Sequence, residues 1–382
     1  MTGLFGQLGV RWRTLVAIIA CLTVFDVTLG LSYPLLALIL EARGVDAVTT
    51  GLNAAMTSVG LIVAAPFVPS MARRLGTRRF LVAGIVVAAA TLVLFKVFSD
   101  LATWFVLRFV LGAAISGLYA VSEAWINELT TNETRGRVVA IYSSLLSLGF
   151  AAGPFLVAQT GTGGWTPFLI GAGFALAGVV PLLAARGAVG GPSDEEHPSF
   201  LAFFRLAPTL LIAVGIFSFF DAAVLSLFPL YGLRKGLDEA TAANALGVLI
   251  AGNIVLQYPI GWLADHAPRR AVMVGCAALT ALGSLLLPVA FDSLFLWPLL
   301  FVWGSTAFGV YTLAMTELGD RFRGALLLAG SAAFAAMWGV GGILGPPLGG
   351  AAMEAFGPDG LPLMLFVSYA ALAILGFLRR RA

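Results

Sequence analysis

The sequence predicts an all-α integral membrane protein, with twelve transmembrane helices in two six-helix bundles related by pseudo-symmetry. Three observations carry this reading. Only 11% of the 382 residues are charged, against about 25% in a soluble domain, so the surface cannot be covered against water. Twelve apolar runs follow one another, most of them reaching the ~20 residues that a spanning helix needs. The chain also repeats a costly feature: Phe25-Asp26 precedes Pro34 as Phe220-Asp221 precedes Pro229, with seven residues between Asp and Pro each time.

The first run covers 14–40. It is too long for a signal-peptide core and no small-residue cleavage site follows it, so it reads as a retained span. Asp26 lies halfway along, where a carboxylate costs about 2.5–3.5 kcal/mol on insertion scales. Tyr33 follows on the same helix. The second run, 49–71, carries Asn53, and the third is 80–98. The fourth, 102–126, holds Arg108. Tyr119 and Glu123 come 11 and 15 residues later, about 20° and 60° from its direction, so the three share one polar face. The fifth run, 137–158, contains Tyr142 and Gly149-x-x-x-Gly153-Pro154. Small residues there permit close helix contact and the proline permits a bend. The sixth is 165–185.

The second half begins with 208–231, the run that carries Asp221. Next is 240–263, with Asn253 and Gln257, and then 271–291. The tenth run, 294–316, has Thr306 and, just past its end, Glu317 on one face with Tyr311 between them. The eleventh, 324–350, holds Trp338 and Gly341-x-x-x-Gly345-Pro346-x-x-Gly349-Gly350. The twelfth is 361–378.

These runs divide the chain into a first bundle at 1–186, a linker at 187–207 and a second bundle at 208–382. The linker is polar and rich in glycine and proline around Gly190 to Pro198, with a short helix expected at 200–204. Orientation follows from basic residues. With the N-terminus in the cytoplasm, 17 arginines fall inside, while only Arg43, Lys96, Arg234 and Lys235 fall outside. Such a split orients a bundle and places both termini in the cytoplasm. The repeat runs on: Phe109 to Gly112 recurs as Phe301 to Gly304, Gly117-Leu118-Tyr119 as Gly309-Val310-Tyr311, Arg135-Gly136 as Arg323-Gly324 and Gly153-Pro154 as Gly345-Pro346. Halves that both start inside are parallel repeats about an axis along the membrane normal.

Several functions are disfavoured. Cys21 and Cys276 lie in separate apolar runs, so neither a disulfide framework nor a zinc site is expected. His197 and His266 lie in loops, which excludes a buried histidine relay. No Gly-x-x-x-x-Gly-Lys run supports ATP-driven pumping. With no metal cluster and no nucleophile–base pair, neither a cofactor nor enzymatic chemistry is expected. The basic pI reflects membrane orientation and not nucleic-acid binding.

Two six-span halves joined by a cytoplasmic linker resemble the major facilitator superfamily over essentially the whole chain. Gly261, Asp265, Arg269 and Arg270 resemble its loop signature, which the resemblance implies latches the inner gate. Physically, Asp265 can cap a neighbouring helix while the arginines meet lipid phosphate. In the equivalent loop at 69–79, Pro69 stands where the glycine belongs and Arg73 where the acid belongs. Arg108 followed by Gly112 resembles the fourth-span signature that the family associates with proton coupling. Glu123-Ala124-Trp125-Ile126-Asn127 before Arg135-Gly136-Arg137 resembles the YcaD-like branch. Gly149 to Pro154 matches part of the antiporter motif, and Gly341 to Gly350 matches all of it, though in span eleven.

The resemblance implies the major facilitator fold, with spans one, four, seven and ten lining a central cavity. Asp26, Arg108, Asp221 and Glu317 lie on or at the end of those spans. A carboxylate taken out of water can load and release a proton during transport. Proton coupling is therefore expected through Asp26, with Arg108 as its charge partner and Asp221 as its counterpart. Tyr33, Asn53, Tyr119, Glu123, Tyr142, Asn253, Gln257, Tyr311, Glu317 and Trp338 are expected at the substrate. Gating is expected at Asp265, Arg269, Arg270, Gly153, Pro154, Gly345 and Pro346. Trp125 reads as an interface anchor. The expected function is alternating-access transport of a small molecule across a bacterial cytoplasmic membrane by a monomer, with proton-driven efflux ahead of uptake. Two alternatives stay open: proton symport of a small organic anion, and a lipid flippase or membrane sensor on the same scaffold.

Overall fold

The structure is a computed structural model that describes residues 2–129, 135–184, 203, 205–323 and 325–378. Most of the linker expected at 187–207, including nearly all of the short helix at 200–204, lies outside them. The helices are α1 (Thr2–Ala42), α2 (Ala47–Ala64), α3 (Val68–Leu75), α4 (Thr77–Val97), α5 (Leu101–Leu129), α6 (Arg135–Thr160), α7 (Thr166–Ala177) and α8 (Val179–Ala184). They continue as α9 (Pro208–Arg234), α10 (Glu239–His266), α11 (Arg269–Ala290), α12 (Leu296–Arg321), α13 (Ala325–Phe356) and α14 (Gly360–Leu378). The described residues contain no strand. A short 3-10 turn at Ala65–Phe67 joins α2 to α3, and Gly178 separates α7 from α8, so each pair makes one span. Among the described residues, 12 stretches are long and apolar enough to cross a bilayer.

The eleventh span runs past the end that the sequence reading gives it. Pro346, Pro347, Gly349 and Gly350 look like a helix end, yet α13 runs on to Phe356. A side chain at Gly350 would collide with the carbonyl of Ala47. Past the prolines, the helix lies in close backbone contact with the start of α2.

Two units emerge: Met1–Leu35 with Met56–Glu195, and Leu36–Ala55 with Glu196–Ala382. The second takes in the end of α1 and the start of α2. Gly350 meets Ala47 and Gly51 meets Pro346. Arg234 bonds Glu41 through Nε at 3.0 Å and Glu354 through Nη1 at 3.0 Å. Glu354 also accepts from the backbone N–H of Ala47 at 3.0 Å.

Both units use the same contacts. In the first, a Cβ at Gly112 would strike the carbonyl of Thr57, and one at Gly60 that of Phe109. In the second, Gly304 meets Leu249 and Gly252 meets Phe301. All four positions are displaced by 192 residues. Gly149 against Thr23 likewise answers Gly341 against Gly215. Lipid tails are as apolar as leucine, so helices in a bilayer associate through such close van der Waals contact rather than through water exclusion. The repeat therefore lies in the small residues that set helix spacing. It extends to the caps. Asp46 accepts from the N–H of Thr49 at 2.8 Å and Asp238 from that of Thr241 at 3.0 Å, again 192 residues apart.

Candidate functional site

In the first unit the site is built where α1 meets α5 and α6. Thr23, Gly30 and Leu31 press against Gly149, Phe150 and Gly153 with no room for side chains. Asp26 sits inside this crossing, and a Cβ on Gly149 would come 3.3 Å from its own Cβ. The packing leaves Asp26 only 2% exposed. Its Oδ1 accepts a hydrogen bond from the Tyr119 hydroxyl on α5. Among the described residues no cation pairs with it.

Arg108 is not its charge partner, contrary to expectation. The guanidinium lies over the ring of Tyr33, 5.2 Å from the centroid. Tyr33 is seven residues beyond Asp26 on α1, about 10 Å along the helix axis. The long side chain meets an aromatic face in place of the acid. A cation over a ring is itself a favourable arrangement. Tyr33 also packs against Phe150, with centroids 6.1 Å apart. Tyr142 is buried on α6. Trp125 is 4% exposed and its indole N–H is buried without an acceptor among the described residues. It is a core residue and not the interface anchor that its position suggested. The side chain of Glu123 lies outside the described residues.

In the second unit, Asp221 is half-buried on α9 and accepts no hydrogen bond from the described residues. Phe217 precedes it by four positions and so shares its helix face. Phe217 stacks on Tyr311 at 5.2 Å and meets the edge of Trp338 at 5.2 Å, while Tyr311 and Trp338 are 5.0 Å apart. Ser218 donates to the Trp338 carbonyl at 2.5 Å and holds α13 to α9 beside this group. Gly345 packs on the carbonyl of Phe219, and Pro346 follows it within α13. Gln257 takes the hydroxyl of Thr312 at 2.9 Å and reaches the Ser305 carbonyl at 3.3 Å. Asn253 is 6% exposed, and its Oδ1 is buried with no donor among the described residues. Asn53, from the α2 segment grouped with this unit, is fully buried.

Glu317 is not brought to Asp221 by any contact. It pairs with Arg321 one turn on. Asp265 does not cap α11, which starts after Pro268 without a side-chain cap. Arg269 instead pairs with Asp265 at 3.7 Å and with Asp320. Arg270 donates to the Gly376 carbonyl at 3.3 Å. Gly153 and Pro154 lie at the α1–α6 crossing.

The profile of the Major Facilitator Superfamily matches residues 16–326 and 248–382. The chain belongs to this family.

Curated relatives include the uncharacterized MFS-type transporter YfkF of Bacillus subtilis, 28% identical over 86% of this chain and 85% of that protein. YcaD of Shigella flexneri, also an uncharacterized MFS-type transporter, is 28% identical over 72% of each chain. Among solved structures, a bacterial homologue of the human lysosomal transporter Spinster, inward-facing and unoccupied, superposes with a TM-score of 0.76 at 14% identity, over 97% of both chains. The nucleoside transporter NupG gives 0.71 at 14% identity, over 98% of this chain and 99% of that one. At such identity the superpositions establish the fold alone. Membership makes the protein a multi-pass membrane protein and a secondary transporter of small molecules.

Within this major facilitator, Phe217 was missed by sequence reasoning. It stands four residues before Asp221, but a phenylalanine in an apolar run carries no mark of its role.

Proposed function

We propose that the protein is a proton-coupled antiporter of the bacterial cytoplasmic membrane that expels a cationic or amphipathic small molecule. The observation that carries this reading is the Asp26 carboxylate, buried at mid-span with a neutral tyrosine hydroxyl as its hydrogen-bond donor. Burying an unpaired carboxylate is expensive, and such groups in transporters serve proton and ion pathways. Proton loading alters the bond to Tyr119 and biases which side is open. A ligand shifts only an equilibrium whose two states it binds unequally.

Charge and shape support the substrate class. With Glu317 engaged by Arg321, each unit still keeps a carboxylate within a span, Asp26 in the first and Asp221 in the second. Asp221 shares a helix face with the Phe217–Tyr311–Trp338 group, so an apolar or aromatic body can rest beside a carboxylate. In this reading Arg108 tunes the outer half of span four from its place over Tyr33. Transport proceeds by alternating access, and both termini are cytoplasmic.

Flux into proteoliposomes under an imposed pH gradient tests it. Asp26→Asn is expected to abolish proton-driven flux while expression and monodispersity persist. Normal proton-driven flux in that variant sinks the coupling role. Competition by organic cations against organic anions separates antiport of cations from symport of an anion.

A further inference from the structure

Arg269 and Arg270 are neighbours in sequence with different surroundings. Arg269 is held by two carboxylates, Asp265 and Asp320. Arg270 pairs with none among the described residues. Its Nη2 reaches the Gly376 carbonyl at 3.3 Å, and its Nε is buried with no acceptor. Arg270 lines a cavity of about 330 Å³ on the arginine-rich side of the second unit. The walls come from Leu206 just before α9 and Leu210 in its first turn, Arg270 and Met273 on α11, and Glu317 and Arg321 on α12. Glu317 already neutralises Arg321, so the positive charge of Arg270 is left over. The first turn of α9 opens on the same cavity, and its N-cap, Ala207, supplies no side-chain acceptor.

We propose that this cavity binds the phosphate headgroup of an anionic phospholipid, with Arg270 as the principal cation. An anionic oxygen supplies the counter-charge that the guanidinium lacks. Lipid is favoured over a soluble anion by location and by the walls. The cavity lies at the ends of three spans, at the level of the headgroups, and basic pockets there hold acidic lipid heads. Leu206, Leu210 and Met273 offer apolar surface for the glycerol end of the acyl chains, and Leu206 is 57% exposed.

The test uses the purified full chain in a neutral detergent, with its thermal midpoint read against three probes. These are dioctanoyl phosphatidylglycerol, dioctanoyl phosphatidylcholine and inorganic phosphate. The first is expected to raise the midpoint saturably and the other two are not. Arg270→Gln is expected to weaken the apparent affinity for phosphatidylglycerol about tenfold, the loss of one charge-assisted hydrogen bond. Arg270→Lys is expected to retain part of it. An equal response to phosphatidylcholine overturns the proposal, as does an equal response to phosphate or an unchanged affinity in Arg270→Gln. Should that variant fail to fold, Glu317→Gln decides. It releases Arg321 to the phosphate and must tighten phosphatidylglycerol binding alone, and wild-type affinity in it overturns the site.

Discussion

The Tyr119 hydroxyl on α5 donates to Oδ1 of Asp26 on α1, across 93 residues of sequence. It answers the acid with a neutral donor, where the sequence offered an arginine. Tyr119→Phe leaves that acceptor buried without its donor, at a cost of about 1–3 kcal/mol. A double-mutant cycle with Asp26→Asn is expected to show coupling of about 0.5–3 kcal/mol in unfolding free energy. Strict additivity of the two substitutions would show that the bond contributes nothing.

The spans, the repeat and the buried level of Asp26 were all legible, because length, hydropathy and axial rise are properties of sequence spacing. What spacing does not encode is the direction of a long side chain. The guanidinium of Arg108 lies over Tyr33 and not against the expected acid. Glu317 is different, because its pairing with Arg321 follows from i,i+4 spacing and was readable. The caps were readable and went unread. Asp46-x-x-Thr49 and Asp238-x-x-Thr241 stand at matching positions, each directly before a helix, and a helix-start rule would have found both. The end of α13 was not readable, because Pro346, Pro347, Gly349 and Gly350 mark a stop that the helix runs past.

Arg234 joins Glu41 and Glu354, and these side chains are 23%, 22% and 41% exposed. Such pairs lie between the exposed and buried limits, so Arg234→Ala is expected to cost about 1–3 kcal/mol. Lys235→Ala, which breaks a pair with the 46%-exposed Asp359, is expected to cost less. Hydrogen exchange is the sharper readout. Loss of Arg234 should speed exchange at 41–50, the stretch it ties to the second unit. Unchanged protection there would mean that glycine packing alone holds the segment.

The two matching caps carry a pH signature. Asp46 has its carboxyl held below the usual carboxylate range because Thr49 donates first its backbone N–H and then its hydroxyl. Asp238 is lowered likewise by Thr241, with the hydroxyl leading. A depressed folded value means that the stability is fully present above the unfolded value of about 4 and is lost as pH falls through the folded value. Asp46→Ala and Asp238→Ala are expected to cost about 1 kcal/mol each near pH 6. The gap to wild type should narrow at about pH 3. Asp46→Asn should keep most of the cap while losing the pH dependence. A constant gap across that range in thermal unfolding would exclude the charged cap.

Helix spacing supplies the last prediction. At Gly112 and Gly304 a Cβ meets backbone carbonyls, those of Thr57 and Leu249. A carbonyl within a helix cannot step aside as a side chain can, so the helices must separate. Gly112→Ala and Gly304→Ala are therefore expected to destabilise by about 1–3 kcal/mol each, as overpacked cores do. Gly173 on α7 meets nothing within 4 Å, so Gly173→Ala should be neutral or stabilise by up to about 1 kcal/mol through helix propensity. Thermal midpoints of the three purified variants decide. Similar losses at Gly112 and Gly304, with none at Gly173, are what a repeated contact requires, because the same backbone approach recurs 192 residues on. Tolerance at one of the matched pair would mean that the two units share a sequence pattern without sharing the packing it encodes.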